Sequence, residues 1–141
     1  MTCTFFGNRN TPDAVAPKLE AALIDLIKNR GVVRFYVGDC GAFDRMVCRC
    51  LRRLSKRYPG VTYRVVLAYM PTQKNDDFYT HEETIYPDGL ETVPRRYAIA
   101  RRNEWMISRA DYVVTCVHQI GGAKQFRELS LRRGKTVIDL V

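Results

Sequence analysis

Glycines and charged side chains that could bind an anion follow an apolar run of strand length near residue 37. The segment Gly38-Asp39-Cys40-Gly41-Ala42-Phe43-Asp44-Arg45 leads from that run into a helical pattern. Glycines in such a turn let the backbone approach an anion, and the free N–H groups of a helix start point towards it. The spacing Gly-x-x-Gly-x-x-Asp is neither the dinucleotide fingerprint nor a Walker loop. A tight turn that needs glycine only for its backbone angles is therefore the alternative interpretation.

Two further turns combine glycine with polar residues. Gly7, Asn8 and Arg9 follow the first apolar run, and Gly121 and Gly122 follow the fourth. Since ligands of open parallel sheets bind beyond the carboxyl ends of the strands, we expect the three turns to meet at one edge of the sheet. Three glycine turns at one edge favour an anion site over three unrelated tight turns.

The elements that must position these turns can be read from the apolar periodicity. Strand-length apolar runs alternate with amphipathic helical patterns at residues 2–6, 32–37, 61–69, 112–117 and 136–140. Strands that are apolar throughout are typical of a parallel sheet covered by helices on both faces. The sequence therefore predicts an α/β, Rossmann-like, three-layer fold with a five-stranded, mainly parallel sheet, as a single domain over residues 1–141.

Residues 71–93 fit neither the helix period nor the strand period. They carry six of the chain's fifteen acids together with several aromatic residues. We interpret this segment as a long loop, which serves either as a functional lid or as a surface excursion that packs on itself. Its aromatic residues and Trp105 offer apolar surface, from which we expect a homodimer or a larger homo-oligomer.

Arginines crowd the first half of the helix that opens at Pro94. They are Arg95, Arg96, Arg101 and Arg102. Cations in that half of a helix oppose its dipole, so a run of them needs another explanation. Arg102 is the candidate to meet an anion. We expect its loss to weaken ligand binding and to leave the stability of the free protein almost unchanged.

The net charge of +8 suits an anionic ligand and also nucleic acid. No basic motif interleaved with aromatic residues is present, which makes nucleic acid an unlikely partner. No apolar run approaches the roughly 20 residues of a membrane helix. The first residues also lack the basic region of a secretory signal, so we expect a cytoplasmic protein without a membrane partner.

The chain has five cysteines, an odd number without the spacing of a zinc site. We therefore expect no disulfide framework, no metal site and no cofactor. Cys40 is the exception of interest, because a helix start next to it could lower the pKa of its thiol.

Several stretches of the chain form a recognisable set. They are Thr4-Phe5-Phe6-Gly7-Asn8-Arg9, the turn Gly38 to Arg45, Arg102-Asn103-Glu104-Trp105-Met106, Asp111-Tyr112-Val113-Val114 and Gly121-Gly122-Ala123. This set resembles the SLOG superfamily, the Rossmann-like group that includes the DNA-processing protein A fold and the Lonely Guy phosphoribohydrolases, and in particular its small stand-alone bacterial and phage members. The resemblance covers nearly the whole chain. It implies a site for a nucleotide or a nucleotide-derived ligand, with phosphate on the glycine turns.

The superfamily contains both enzymes and binding modules, so both functions are considered. Lonely Guy enzymes carry Pro-Gly-Gly-x-Gly-Thr, whereas this chain has Ile120-Gly121-Gly122-Ala123-Lys124-Gln125. This departure favours a sensor or binding module. The alternative is an N-glycosidic hydrolase or transferase acting on a nucleoside phosphate, with Asp44 and Glu104 as catalytic acids and Glu91 as a further candidate. The residues predicted to bind the ligand are Gly7, Asn8, Arg9, Gly38, Asp39, Gly41, Asp44, Arg45, Arg102, Asn103, Gly121 and Gly122.

Overall fold

The five apolar runs all form strands, and the helical patterns between them form helices. The computed structural model describes residues 1–70 and 78–141. The strands are β1 (Thr2–Gly7), β2 (Arg34–Val37), β3 (Thr62–Val66), β4 (Thr84–Ile85), β5 (Tyr112–Cys116) and β6 (Thr136–Asp139). The helices are α1 (Ala16–Asn29), α2 (Gly41–Arg57), α3 (Ala98–Arg109) and α4 (Gly122–Arg132).

The sheet has the order β4-β3-β2-β1-β5-β6, and each pairing of neighbours is parallel. The chain builds outward from β1 through β2 and β3 to β4, and then crosses back to place β5 on the other side of β1. The strand order therefore reverses between β1 and β5. In a Rossmann-like fold such a reversal opens a crevice at the carboxyl ends of the two strands.

Two apolar layers hold the helices on the sheet. Phe5 and Phe35 belong to the cluster under α1 and α2, whereas Phe6 and Val113 belong to the cluster under α3 and α4. The predicted α/β, Rossmann-like fold with a parallel sheet between helices is confirmed. None of the helices in the described part of the chain is long and apolar enough to cross a membrane.

The sheet has six described strands, so the prediction of five was wrong by one. β4 lies inside the segment that the sequence predicts to be a loop, and its Thr84 and Ile85 pair with Val65 and Val66. Two residues are too few to show a strand period. The first part of the predicted loop, residues 71–77, lies outside the described residues.

The segment that leads into β4 is anchored by an ion pair on α2. Arg52 donates to the Glu83 carboxylate from Nη2 at 3.0 Å and from Nε at 3.2 Å, and the Tyr63 hydroxyl donates to the same carboxylate. Although burial raises the pKa of Glu83, the hydrogen bonds from Arg52 and Tyr63 lower it to about 2. The carboxylate therefore stays ionised, and it ties this segment to α2 and β3.

The aromatic residues of that segment pack within the chain. Phe78 is buried, and Tyr86 packs against the core under α1 and α2. Trp105 makes an edge contact with Tyr36, with ring centroids 5.1 Å apart. These side chains, from which the sequence predicts a homo-oligomer, therefore make contacts within the chain. The oligomer stays a prediction.

Candidate functional site

A cleft of about 460 Å³ opens at the carboxyl edge of the sheet, beyond the end of β1, on the side where the strand order reverses. The turns after β1 and β2, the start of α4 and one face of α3 form its walls. It brings together nine of the twelve predicted binding residues, which are Gly7, Asn8, Arg9, Gly38, Asp44, Arg102, Asn103, Gly121 and Gly122. The three glycine turns therefore converge on one cavity.

Asn8 holds the two sides of the cleft together. Its Oδ1 accepts the backbone N–H of His118 at 2.7 Å, and its own backbone N–H donates to the Cys116 carbonyl at 3.1 Å. Its Nδ2 lies 3.5 Å from the Gln119 carbonyl oxygen. These bonds fix the loop after β5 against the loop after β1, so Asn8 sets the width of the opening.

The start of α2 is occupied by the protein's own acceptors. The backbone N–H of Cys40 donates to Asp44 Oδ2 at 3.0 Å, and that of Ala42 donates to the Arg9 carbonyl at 3.0 Å. Gly41 has φ +90° and its missing Cβ would lie 2.9 Å from Arg9 Cα, so its glycine is required by packing and by backbone conformation. These two amides are therefore not available to a phosphate.

Arg102 lies at the centre of a buried polar cluster, with only 2% of its side chain exposed. Its Nη1 donates to Asp39 Oδ1 at 2.9 Å and to the Val66 carbonyl at 2.8 Å. Its Nε donates to Asn103 Oδ1 at 2.7 Å. Gly38 leaves room for the cluster, because a Cβ there would lie 3.1 Å from the guanidinium and 2.9 Å from Asp44 Oδ2.

The charges in this cluster alter one another. Burial raises the pKa of Asp44 to about 6, against the opposing effects of Arg102 and of the Cys40 amide. Burial disfavours the charged form of Arg102, but Asp44 and Asp39 outweigh it and raise the pKa of the guanidinium. Arg102 is thus a cation that is ion-paired with Asp39 and stabilised at longer range by the charge of Asp44.

Two sequence-based expectations change here. Arg102 is an internal ion-pair partner, so we now expect its loss to lower the stability of the free protein, where the sequence alone led us to expect little change. A helix start could have lowered the pKa of the Cys40 thiol, but burial and the nearby Asp39 raise it, and Arg102 only partly opposes them.

The start of α4 differs from the start of α2, because it is exposed and no side chain caps it. Gly121 and Gly122 are exposed, and a Cβ on either would meet no atom within 4 Å. Gly121 has no side chain to cap the helix, and the first turn of α4 contains no acid. The first N–H groups of a helix lack intrahelical acceptors, so this end attracts an anion.

The remaining wall of the cleft is apolar and was missed by the sequence reasoning. It consists of Ile99 and Met106 on α3, Phe126 on α4 and Ile120 at the rim. Ile120 is 86% exposed. Ile99 and Met106 lie at helical spacing from Arg102 and Asn103, which is the signal that could have placed them in the site.

Several predicted residues do not line the cleft. Arg45 stacks over the Phe78 ring at 4.6 Å, away from the cavity. Glu104 borders a separate groove and lies 3.9 Å from Arg101. Glu91 is exposed in a short 3-10 helix. Among the three candidate acids, Asp44 is the one that lines the cleft.

Comparison with known proteins adds no family to this geometry. The chain matches no protein-family model, and a search of curated proteins finds no match.

Proposed function

We propose that the protein binds a nucleotide or a nucleotide-derived phosphate ester in this cleft, and that it acts as a binding module or sensor. The observation that carries the proposal is the bare glycine start of α4, which faces a cleft at the reversal of strand order. A phosphate there would accept hydrogen bonds from free backbone N–H groups and would be favoured by the helix dipole.

Positive charge near this end supports the same assignment. Arg9 is exposed and lines the cleft. Lys124 lies in the first turn of α4. Arg102 contributes less, because its charge is already matched by Asp39 and Asp44. The phosphate therefore belongs beside α4 and Arg9, away from the Arg102 cluster.

The apolar wall supports a ligand with a flat apolar part as well as a phosphate. Ile99, Met106 and Phe126 offer such a part a dry contact surface. Small-molecule sites combine an apolar lining with a few polar groups that fix orientation. A nucleoside monophosphate has this division, with a base for the apolar wall and a phosphate for the helix start.

The proposal is tested by placing an acid at the start of α4. We expect Gly122→Asp to weaken the binding of nucleoside 5′-monophosphates at least tenfold, about 1.4 kcal/mol. The new carboxylate would compete for the free N–H groups and repel the phosphate. Isothermal titration calorimetry with adenosine and inosine monophosphates measures the effect.

The matched control is Gly122→Asn, which has the same size without the charge. Both variants are expected to fold, since the position is open and helical. Equal affinities of the two variants for the nucleotides would place the phosphate elsewhere. Failure of the wild-type protein to bind any nucleotide would refute the proposal.

Asp44 favours a second candidate function, cleavage of an N-glycosidic bond. Its carboxyl lines the cleft and has a pKa raised to about 6, a value suited to proton transfer near neutral pH. Chromatography after incubation with nucleoside monophosphates tests this function. Release of free base by the wild-type protein and its loss in Asp44→Asn would establish a hydrolase. Intact nucleotide in both samples is expected for a binding module.

A further inference from the structure

The Asn103 side chain is held in one orientation by its neighbour in sequence. Arginine has no hydrogen-bond acceptor, so the amide atom that lies 2.7 Å from Arg102 Nε is the oxygen of Asn103. The guanidinium is itself fixed by Asp39 and by the Val66 carbonyl. The amide of Asn103 therefore cannot turn over without losing this bond.

The amide nitrogen of Asn103 is left for a ligand. Asn103 is only 8% exposed and lines the cleft. Within residues 1–70 and 78–141, its Nδ2 has no hydrogen-bond acceptor. Among the described residues, Asn103 Nδ2 is not one of the fully buried unpaired atoms, so it opens to the cleft. A ligand that displaces solvent from this wall must therefore offer the donor an acceptor, or leave it unpaired at a cost in affinity.

The surroundings of Asn103 decide which part of a ligand meets it. Ile99 and Met106 flank it on the same face of α3 and also line the cleft. The charge of Arg102 is matched by Asp39 and Asp44, so this wall offers no surplus positive charge to a phosphate. A neutral, flat group that carries an acceptor fits here.

We infer that Asn103 determines base specificity, by donating a hydrogen bond from Nδ2 to a ring carbonyl of the nucleotide base. This inference rests on the proposed function and adds the chemical class of the base. Among purine nucleotides, such a donor favours a 6-oxopurine over a 6-aminopurine, because the exocyclic amino group would place a donor against a donor. A mismatch of this kind leaves buried polar groups unpaired, and sites exploit it for discrimination.

The test compares ligands that share the same phosphate and ribose. Dissociation constants are measured by calorimetry for inosine 5′-monophosphate, adenosine 5′-monophosphate and ribose 5-phosphate. We expect the wild-type protein to prefer the inosine nucleotide by about tenfold. In Asn103→Asp the preference is expected to reverse, since an oxygen replaces the donor while the other oxygen still accepts from Arg102.

The negative charge of the aspartate affects both nucleotides alike. The ratio of their affinities therefore reports only the interaction of residue 103 with the base. Asn103→Ser removes the amide without adding charge, and it is expected to bring the ratio close to one. Asn29→Asp adds the same charge at the end of α1, at the opposite edge of the sheet, and is expected to leave the ratio unchanged. Thermal melting shows that each variant folds.

Ribose 5-phosphate separates this inference from the proposed function. Binding of ribose 5-phosphate and of both nucleotides with equal affinity by wild type and Asn103→Asp would overturn the inference and leave the phosphate site standing. Failure of wild type to bind any of the three would overturn both. A wild-type preference for the adenosine nucleotide would overturn the inference alone.

Discussion

Replacing Arg102 with alanine is expected to lower the free energy of unfolding by about 3–5 kcal/mol. The guanidinium is 2% exposed and bonds to Asp39 and to the Val66 carbonyl. Its removal leaves the partly exposed Asp39 carboxylate without its ion-pair partner and deprives the buried Asp44 carboxylate of the main opposing charge. Urea unfolding followed by circular dichroism measures the loss.

Arg101→Ala is the matched control for that experiment. Arg101 is the preceding residue on α3, but it is exposed and forms only a long ion pair among the described residues, at 3.9 Å from a carboxylate oxygen of Glu104. Exposed pairs of this kind contribute about 0–1 kcal/mol. Equal stability of Arg102→Ala and Arg101→Ala would show that the buried cluster is not an energetic unit.

The pH dependence gives a second signature of the same loss. Arg102 lowers the pKa of Asp44, which burial raises to about 6. Without Arg102 the pKa of Asp44 rises further above that of the unfolded chain, so the folded state binds the proton more tightly. Stability then increases as the pH falls. The deficit of Arg102→Ala relative to wild type is therefore expected to shrink between pH 7 and pH 5.

The sequence predicted the architecture because each signal was local. The apolar runs before Gly7 and Gly38, and the helix patterns between them, do not depend on distant residues. β4 was missed because its two residues, Thr84 and Ile85, gain their strand conformation from β3 alone. A two-residue strand is too short to show the alternating pattern of apolar and polar residues by which a strand is predicted from sequence.

The candidate site was predicted in position but not in detail. Parallel topology brings the glycine turns to one edge, so the location of the cleft followed from the fold. The fold alone does not tell which helix start has free N–H groups. At the start of α2, Asp44 and the Arg9 carbonyl from another loop already accept the N–H groups of Cys40 and Ala42. The burial of Arg102 also depends on long-range contacts. The sequence pattern of an arginine on a helix is the same whether its side chain pairs with Asp39 or binds a ligand.

Replacing Gly7 is expected to cause the second large loss of stability. The space that a side chain would need at this position is already occupied by the ring of Phe43. A Cβ at this position would lie 2.3 Å from two ring carbons of Phe43 and 2.7 Å from its Cβ. Phe43 is fully buried in the first turn of α2, next to Asp44. A single methyl group at Gly7 therefore has to displace the start of α2 from β1.

We expect Gly7→Ala to lower the free energy of unfolding by about 3 kcal/mol, at the upper end of the range for overpacked cores. The control is Gly60→Ala, where a Cβ meets nothing within 4 Å and the backbone is not left-handed. Urea unfolding of the two variants measures the difference. Wild-type stability of Gly7→Ala would contradict the close contact.

Because the displaced ring lies beside Asp44, nucleotide affinity is expected to fall in Gly7→Ala and to stay unchanged in Gly60→Ala. The glycine at the end of β1 thus acts through packing, by letting α2 approach the sheet closely enough to form one wall of the cleft.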